Sequence, residues 1–323
     1  MRAIQVEEVG GPEVLKLVQV DRPEPGEGQV LIDVVAVGVN FIDTYQRSGL
    51  YPMELPLIPG PECAGTIAAV GTGVTDFAVG DRIAVAAGSG SYGESRLAPA
   101  NMCVAVPEAM SLEDAAAVLL QGMTAHYLSM DTYPLQAGDR CLIHAGAGGT
   151  GRLLIQLAKS VGAEVFTTVG TVDKAEIAAS VGADHVINYN EHNFADEVRR
   201  IAGTDKPLDV VYDGVGASVF DDSLGLLARR AMMATFGNAS GAVPPVSPLS
   251  LSQAGSLFLT RPTLFDYIAT REELVDRATD VFNRVVDGSL EVAIGATYPL
   301  EDAVQAHVDL EGRKTTGKLL LAP

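Results

Sequence analysis

The chain has 323 residues, 47% hydrophobic and 20% charged, enough for about two domains at roughly 100–200 residues each and too apolar for a disordered or fibrous protein. Its 22 Lys and Arg against 41 Asp and Glu leave a formal charge of -19, a field that repels phosphate backbones and anionic lipid over most of the surface. These numbers speak against nucleic acid and membrane as partners.

The N-terminal segment MRAIQVEEVGG reaches acidic residues early, and no run nears the ~18 apolar residues of a spanning helix. Cys63, Cys103 and Cys141 are odd in number and lack metal-knuckle spacing, which reads as buried thiols in a reducing, cytoplasmic compartment. The first third is rich in Gly, Pro and Val. Its runs Gln29 to Val39 and Gly65 to Gly71, set off by turn clusters such as RPEPGEG, predict strands of a compact β domain with few helices. From Ser111 the texture changes. SLEDAAAVLLQGMTAHYLSM opens on a Ser with Asp three residues on and then turns apolar at helical spacing.

From Arg140 onward the apolar runs CLIHAG, EVFTTVG, HVINY, LDVVYDGVG, AMMATFG and SLFLTRP alternate with the helical segments GTGRLLIQLAKSVG, DKAEIAASVG and FADEVRRIAG. Continuous apolar strands with helices between them predict a doubly wound parallel sheet covered on both faces. The tail predicts two helices, REELVDRATDVFNRVVDGS and EDAVQAHVDLEG, and a closing strand GKLLLAP. Periodicity leaves open whether that strand extends the parallel sheet or returns to the first domain.

His144 to Gly151 reads HAGAGGTG, a full G-x-G-x-x-G in Gly146, Gly148 and Gly151 with a strand before it and a helix from Gly149. One glycine serves the sharp turn, one the approach of a pyrophosphate, and one the packing of helix on strand. The helix N-terminus then offers N–H groups and positive dipole to the phosphates. The second strand ends TTVG without a terminal carboxylate, and Lys174 follows one short turn later beside Asp173. A cation there favours a 2'-phosphate, hence NADPH (NADP+), although Lys174 also reads as a solvated helix residue.

No H-E-x-x-H and no paired cysteines occur, and the five histidines (126, 144, 185, 192, 307) stand far apart, each reading as a surface or capping residue. No metal is expected. Without a metal to acidify a bound hydroxyl, alcohol oxidation is hard, whereas hydride transfer to an already electrophilic quinone or conjugated carbonyl needs positioning and modest hydrogen bonding.

VGVNFIDTYQRSGLYP, GPECAG, HAGAGGTG, TVGTVDKA, VINY, VVYDGVG, FGNASGAV and LTRPTL occur in an order that resembles the zinc-independent medium-chain dehydrogenases/reductases, in particular the quinone oxidoreductases related to zeta-crystallin. The resemblance implies an α/β chain: a GroES-like β domain of residues 1–122 and 263–323, and a Rossmann NADPH-binding domain of residues 123–262. It also implies an active site in a cleft, a homodimer joined through the Rossmann sheets, and a small-molecule quinone or other electrophile as acceptor. Zinc-dependent cousins carry metal ligands where this chain has Asn40, Pro61 and Gln121.

Carried over, Gly146, Ala147, Gly148, Gly149, Thr150 and Gly151 would hold the pyrophosphate, Gly170, Lys174 and Tyr189 the adenosine ribose and its phosphate, and Phe236, Gly237 and Asn238 the nicotinamide side. Arg313 would be a further cofactor contact. Asn40 and Tyr45 would approach the reacting groups, Asn40 to position and Tyr45 to hydrogen-bond or protonate, with Thr124 and Arg261 toward the substrate. Tyr45, in a glycine-bounded loop, also reads as packing alone, and Arg261 as an interface arginine. Competing activities are an alkenal or enoyl reductase on the same fold and a non-catalytic nucleotide-binding, crystallin-like protein.

Overall fold

A computed structural model describes all 323 residues, in two units: Met1–Met123 with Tyr267–Pro323, and Thr124–Asp266. Elements are numbered in chain order.

The first unit is built around β3 (Gln29–Val39), whose buried apolar residues face a core shared with β4 (Glu62–Val70), β6 (Ser95–Pro99) and β15 (Lys318–Ala322), all antiparallel to it. β5 (Arg82–Ala86) and β7 (Cys103–Ala105) extend the sheet past β4, and β14 (Ile294–Pro299) runs parallel to β15 at the other edge. β1 (Arg2–Gln5) and β2 (Lys16–Gln19) form a separate ladder. The closing strand thus returns to the first domain. Ile32, Val37, Ile67, Ile83, Val85, Leu319 and Leu321 pack as one buried cluster, and truncating a member such as Ile32 to Ala costs about 2–5 kcal/mol. Three helices belong wholly to this unit: α1 (Phe41–Arg47), α8 (Arg271–Val286) and α9 (Ala303–Glu311). Thr270 and Glu273 cap α8 reciprocally, the Thr270 hydroxyl accepting from Glu273 N at 3.2 Å and the Glu273 carboxylate from Thr270 N at 2.9 Å.

Two expectations change here. Tyr45 lies on α1 rather than in a loop, because the Asp43 carboxylate accepts from Asn40 N at 2.9 Å and starts a helix within two turns of Gly49. His307 of α9 and His144 after β8 are buried rather than surface or capping residues, because each ring nitrogen finds a hydrogen-bonding partner inside.

The second unit is a six-stranded, wholly parallel sheet in the order β10 (His185–Asn188), β9 (Glu164–Val169), β8 (Arg140–Ile143), β11 (Leu208–Asp213), β12 (Leu227–Thr235) and β13 (Phe258–Thr260). The apolar runs make the inner strands β8, β9 and β11 because these are buried on both faces. α3 (Gly149–Ser160), α4 (Val172–Ser180), α5 (Phe194–Ala202) and α6 (Phe220–Leu224) fill the connections, with α7 (Pro248–Gly255) before β13. The strand order reverses between β8 and β11, and in open parallel sheets a ligand binds outside the carboxyl ends at such a switch point. α2 (Leu112–Tyr127) begins as the sequence suggests, with the Ser111 hydroxyl accepting from Asp114 N at 2.9 Å.

Candidate functional site

The loop from β8 to α3 is shaped by forbidden side chains. A Cβ on Gly146 would stand 2.1 Å from Thr167 Oγ1, and one on Gly151 2.4 Å from the carbonyl oxygen of Ala145. Only glycine fits at either. A Cβ on Gly148 would meet nothing nearer than that same oxygen at 3.2 Å, and no side chain caps α3 where Gly148 opens it. The first-turn N–H groups, from Gly149 onward, are left for an anion.

His144 braces this turn from inside. Ser223 Oγ donates to the carbonyl of Val219 at 2.6 Å, so it accepts from His144 Nε2 at 2.8 Å. Nδ1 therefore accepts from Thr168 Oγ1 at 2.9 Å. Burial pushes the imidazole down to about 3, so it stays neutral and ties β8, β9 and α6 together.

Beyond β9, a Cβ on Gly170 would lie 2.6 Å from Tyr189 Oη, while Asn190 Nδ2 donates to the Gly170 carbonyl at 2.6 Å. Thr171 caps α4 by accepting from Lys174 N at 3.3 Å. Gly170, Lys174 and Tyr189 thus share one corner. At the ends of β11 and β12, Asp213 Oδ1 accepts from Val215 N at 2.7 Å and Gly216 N at 2.9 Å, and Phe236 N donates to the Asp213 carbonyl at 2.7 Å. Burial raises the Asp213 pKa against these backbone bonds. Arg261 Nη1 donates to Gly237 O at 3.0 Å, and the Asn238 amide, turned with its oxygen toward Arg261, accepts from Nη2 at 3.0 Å. The guanidinium therefore braces the Phe236–Gly237–Asn238 loop. Of the remaining expected contacts, Thr124 opens this unit within α2, whereas Arg313 belongs to the other, just past α9.

In the first unit, Asn40 sits just before α1 and Tyr45 on it, buried at 3% and 9% exposure. The Tyr45 ring lies 6.3 Å from that of Phe41 and 5.3 Å, edge-on, from that of Tyr51. Asn40 Nδ2 donates to Glu62 Oε2 at 2.8 Å and to Gly38 O at 3.1 Å, while Oδ1 accepts from Lys318 Nζ at 2.7 Å and Gln121 Nε2 at 3.4 Å. Lys318 Nζ also contacts Glu62 Oε2 at 2.5 Å. Next to this set, Tyr92 Oη donates to Asp43 Oδ2 at 2.8 Å and so accepts from His307 Nε2 at 2.9 Å, leaving Nδ1 to accept from Arg47 Nη1 at 3.0 Å. Burial, then Arg47, pushes His307 down to about 3, and burial raises the Asp43 carboxyl to about 7.

Two family models match the chain, an alcohol dehydrogenase GroES-like domain over residues 26–135 and a zinc-binding dehydrogenase over residues 149–293. An Escherichia coli quinone oxidoreductase solved with NADPH is 42% identical and superposes at a TM-score of 0.98, with 100% of both chains covered. The chain belongs to the quinone oxidoreductases of the medium-chain dehydrogenase/reductase family. A mycobacterial relative, also solved with NADPH, is 49% identical with a TM-score of 0.97 over 100% of both chains. A 2-haloacrylate reductase from Burkholderia sp. is 40% identical over 99% of this chain and 98% of its own.

For a member of this family the donor set is telling. At the positions of the cousins' zinc ligands, Asn40 and Gln121 bond to each other through their amides, and nowhere do three His, Cys, Asp or Glu side chains converge as a metal site requires. The residues present do not fit zinc. They do fit a dinucleotide, since the cradle around Gly148 has the space and the unpaired backbone donors that a diphosphate needs.

Sequence reasoning missed Glu62, Lys318, Asp43, Tyr92, Asp213 and the buried role of His307. One signal was visible, a lone lysine entering the apolar strand GKLLLA, where a charge is buried only if paired.

Proposed function

We propose that the chain is an NADPH-dependent quinone oxidoreductase that works without a metal. The observation that carries this reading is the Gly146–Gly151 turn: a glycine-rich cradle at the switch point of a parallel sheet, ending on an uncapped helix. Its N–H groups would hold the pyrophosphate, Lys174 and Tyr189 the 2'-phosphate corner, and Phe236 to Asn238 the nicotinamide side. When bound, NADPH supplies a hydride to an electrophilic acceptor. Arg261 keeps the nicotinamide loop in place. Tyr45, amid Phe41 and Tyr51, would lie against a flat acceptor and direct its hydroxyl to the acceptor's oxygen. Steady-state assays test the reading: NADPH should be oxidised with benzoquinones and naphthoquinones. Turnover with enones or 2-haloacrylates and none with quinones would move it to a conjugated-alkene reductase, the second reading, which the name of the Burkholderia relative favours. NADPH binding without oxidation by any acceptor would leave a nucleotide-binding protein.

The same reading includes a homodimer joined through the Rossmann sheets. β13 pairs on one side only, and Phe258 on it and Leu249 on α7 are 58% and 64% exposed. Light scattering of a Phe258→Lys variant should report a monomer. A cytoplasmic location is supported by three buried, unpaired cysteines.

A further inference from the structure

We propose that Lys318 is a positioning residue of the first unit's site, its ammonium neutralising Glu62 and locking the Asn40 amide at the start of the helix that carries Tyr45. The register of three adjacent strands brings them together. Glu62 stands opposite Gly38 on β3, and Leu319 opposite Val39, so the next residues along, Asn40 and Lys318, face each other at the strand ends. Side-chain exposure is 2% for Lys318 and 0% for Glu62. Gly38 makes the approach possible, since a Cβ there would lie 2.2 Å from Glu62 Oε2. On its other side Glu62 Oε1 accepts from Leu120 N at 2.6 Å.

Hydrogen-bond capacity decides the roles. Both donors of the Asn40 amide and both acceptor positions are committed, to Glu62 and Gly38 on one side and to Lys318 and Gln121 on the other. Asn40 therefore cannot also hold an acceptor without breaking one of these bonds, and its orientation is fixed by the charges flanking it. A buried ion pair is a poor source of stability, because desolvating two ions offsets most of their attraction. Its consequence is local: without Lys318, an uncompensated carboxylate would be left against the Asn40 amide at the head of the helix that carries Tyr45, which a site preorganised for developing negative charge must avoid.

This inference rests on the reduction chemistry proposed above for its readout, so wild-type turnover with NADPH and benzoquinone is measured first, and its absence would sink that chemistry rather than the role of Lys318. Lys318→Ala is then assayed with and without propylammonium, and with 1-propanol as a neutral isostere. The expected result is a kcat at least about tenfold lower at pH 8, an NADPH Kd within about twofold of wild type, and a rescue of about fivefold or more by propylammonium but not by propanol. A folded Lys318→Ala variant with wild-type kcat, or equal rescue by propanol, overturns the proposal. If that variant does not fold, Lys318→Gln and Lys318→Arg are compared: the first is expected to be slow and the second to keep at least about a third of kcat, and equal values overturn it.

Discussion

The two candidate sites are made by opposite means. In the second unit the cradle is backbone: Gly146, Gly148 and Gly151 remove side chains so that amides and a helix dipole can meet an anion, and the one histidine behind them is held neutral. In the first unit the site is side chain, with Glu62, Lys318, Asp43, Arg47 and His307 buried and wired to each other. Backbone sites tolerate change everywhere except where a Cβ would intrude. Charged sites tolerate the loss of almost no member, because each removal strands a partner.

The sharpest way to break this contrast is at the turn. Gly151→Val should raise the NADPH Kd at least about 100-fold, near 2.7 kcal/mol, because its Cβ meets the Ala145 carbonyl at 2.4 Å; fluorescence titration checks it. In the first unit Arg47→Met should leave NADPH binding unchanged while lowering urea-unfolding stability by about 3 kcal/mol. It strips Glu311 of a partner at 2.9 Å and His307 of a donor at 3.0 Å.

A pH series separates the regions further. His144 and His307 titrate near 3 in the fold instead of 6.5, so between those values the unfolded chain binds two protons that the native chain does not, and stability falls as pH falls. Asp43, raised from 3.8 to about 7, works the other way, its native proton favouring the fold at low pH. For these three groups alone, two protons against one leave a net loss of about 1.4 kcal/mol per pH unit between roughly pH 6 and 4. Urea midpoints across that window should show it, and Asp43→Asn should steepen it. The smallest effect expected is at Lys174: Lys174→Ala should weaken NADPH about tenfold and leave NADH nearly unchanged, and equal losses for both would remove Lys174 from the 2'-phosphate.

What was legible in the sequence follows the same divide. The inner parallel strands could be read because burial on both faces writes an unbroken apolar run, and the dinucleotide turn because glycine spacing is itself the geometry. The α1 segment reads as a loop because seven residues, Phe41–Arg47, are too few for a helical period and its stability comes from Asp43 and Arg47 reaching into the core. Lys318 and Glu62 lie 256 residues apart in the chain, and no local pattern couples them; only strand register does. His307 was unreadable for a related reason, since α9 buries it against Tyr92 from β-domain chain far away.

The most direct measurement is stopped-flow oxidation of NADPH by benzoquinone with protein dialysed against a strong chelator. A rate unchanged by chelation and lost in Gly151→Val is the result that hydride transfer from this cradle without a metal requires. Activity that disappears on chelation and returns with zinc, or that survives in Gly151→Val with its NADPH affinity destroyed, would contradict it.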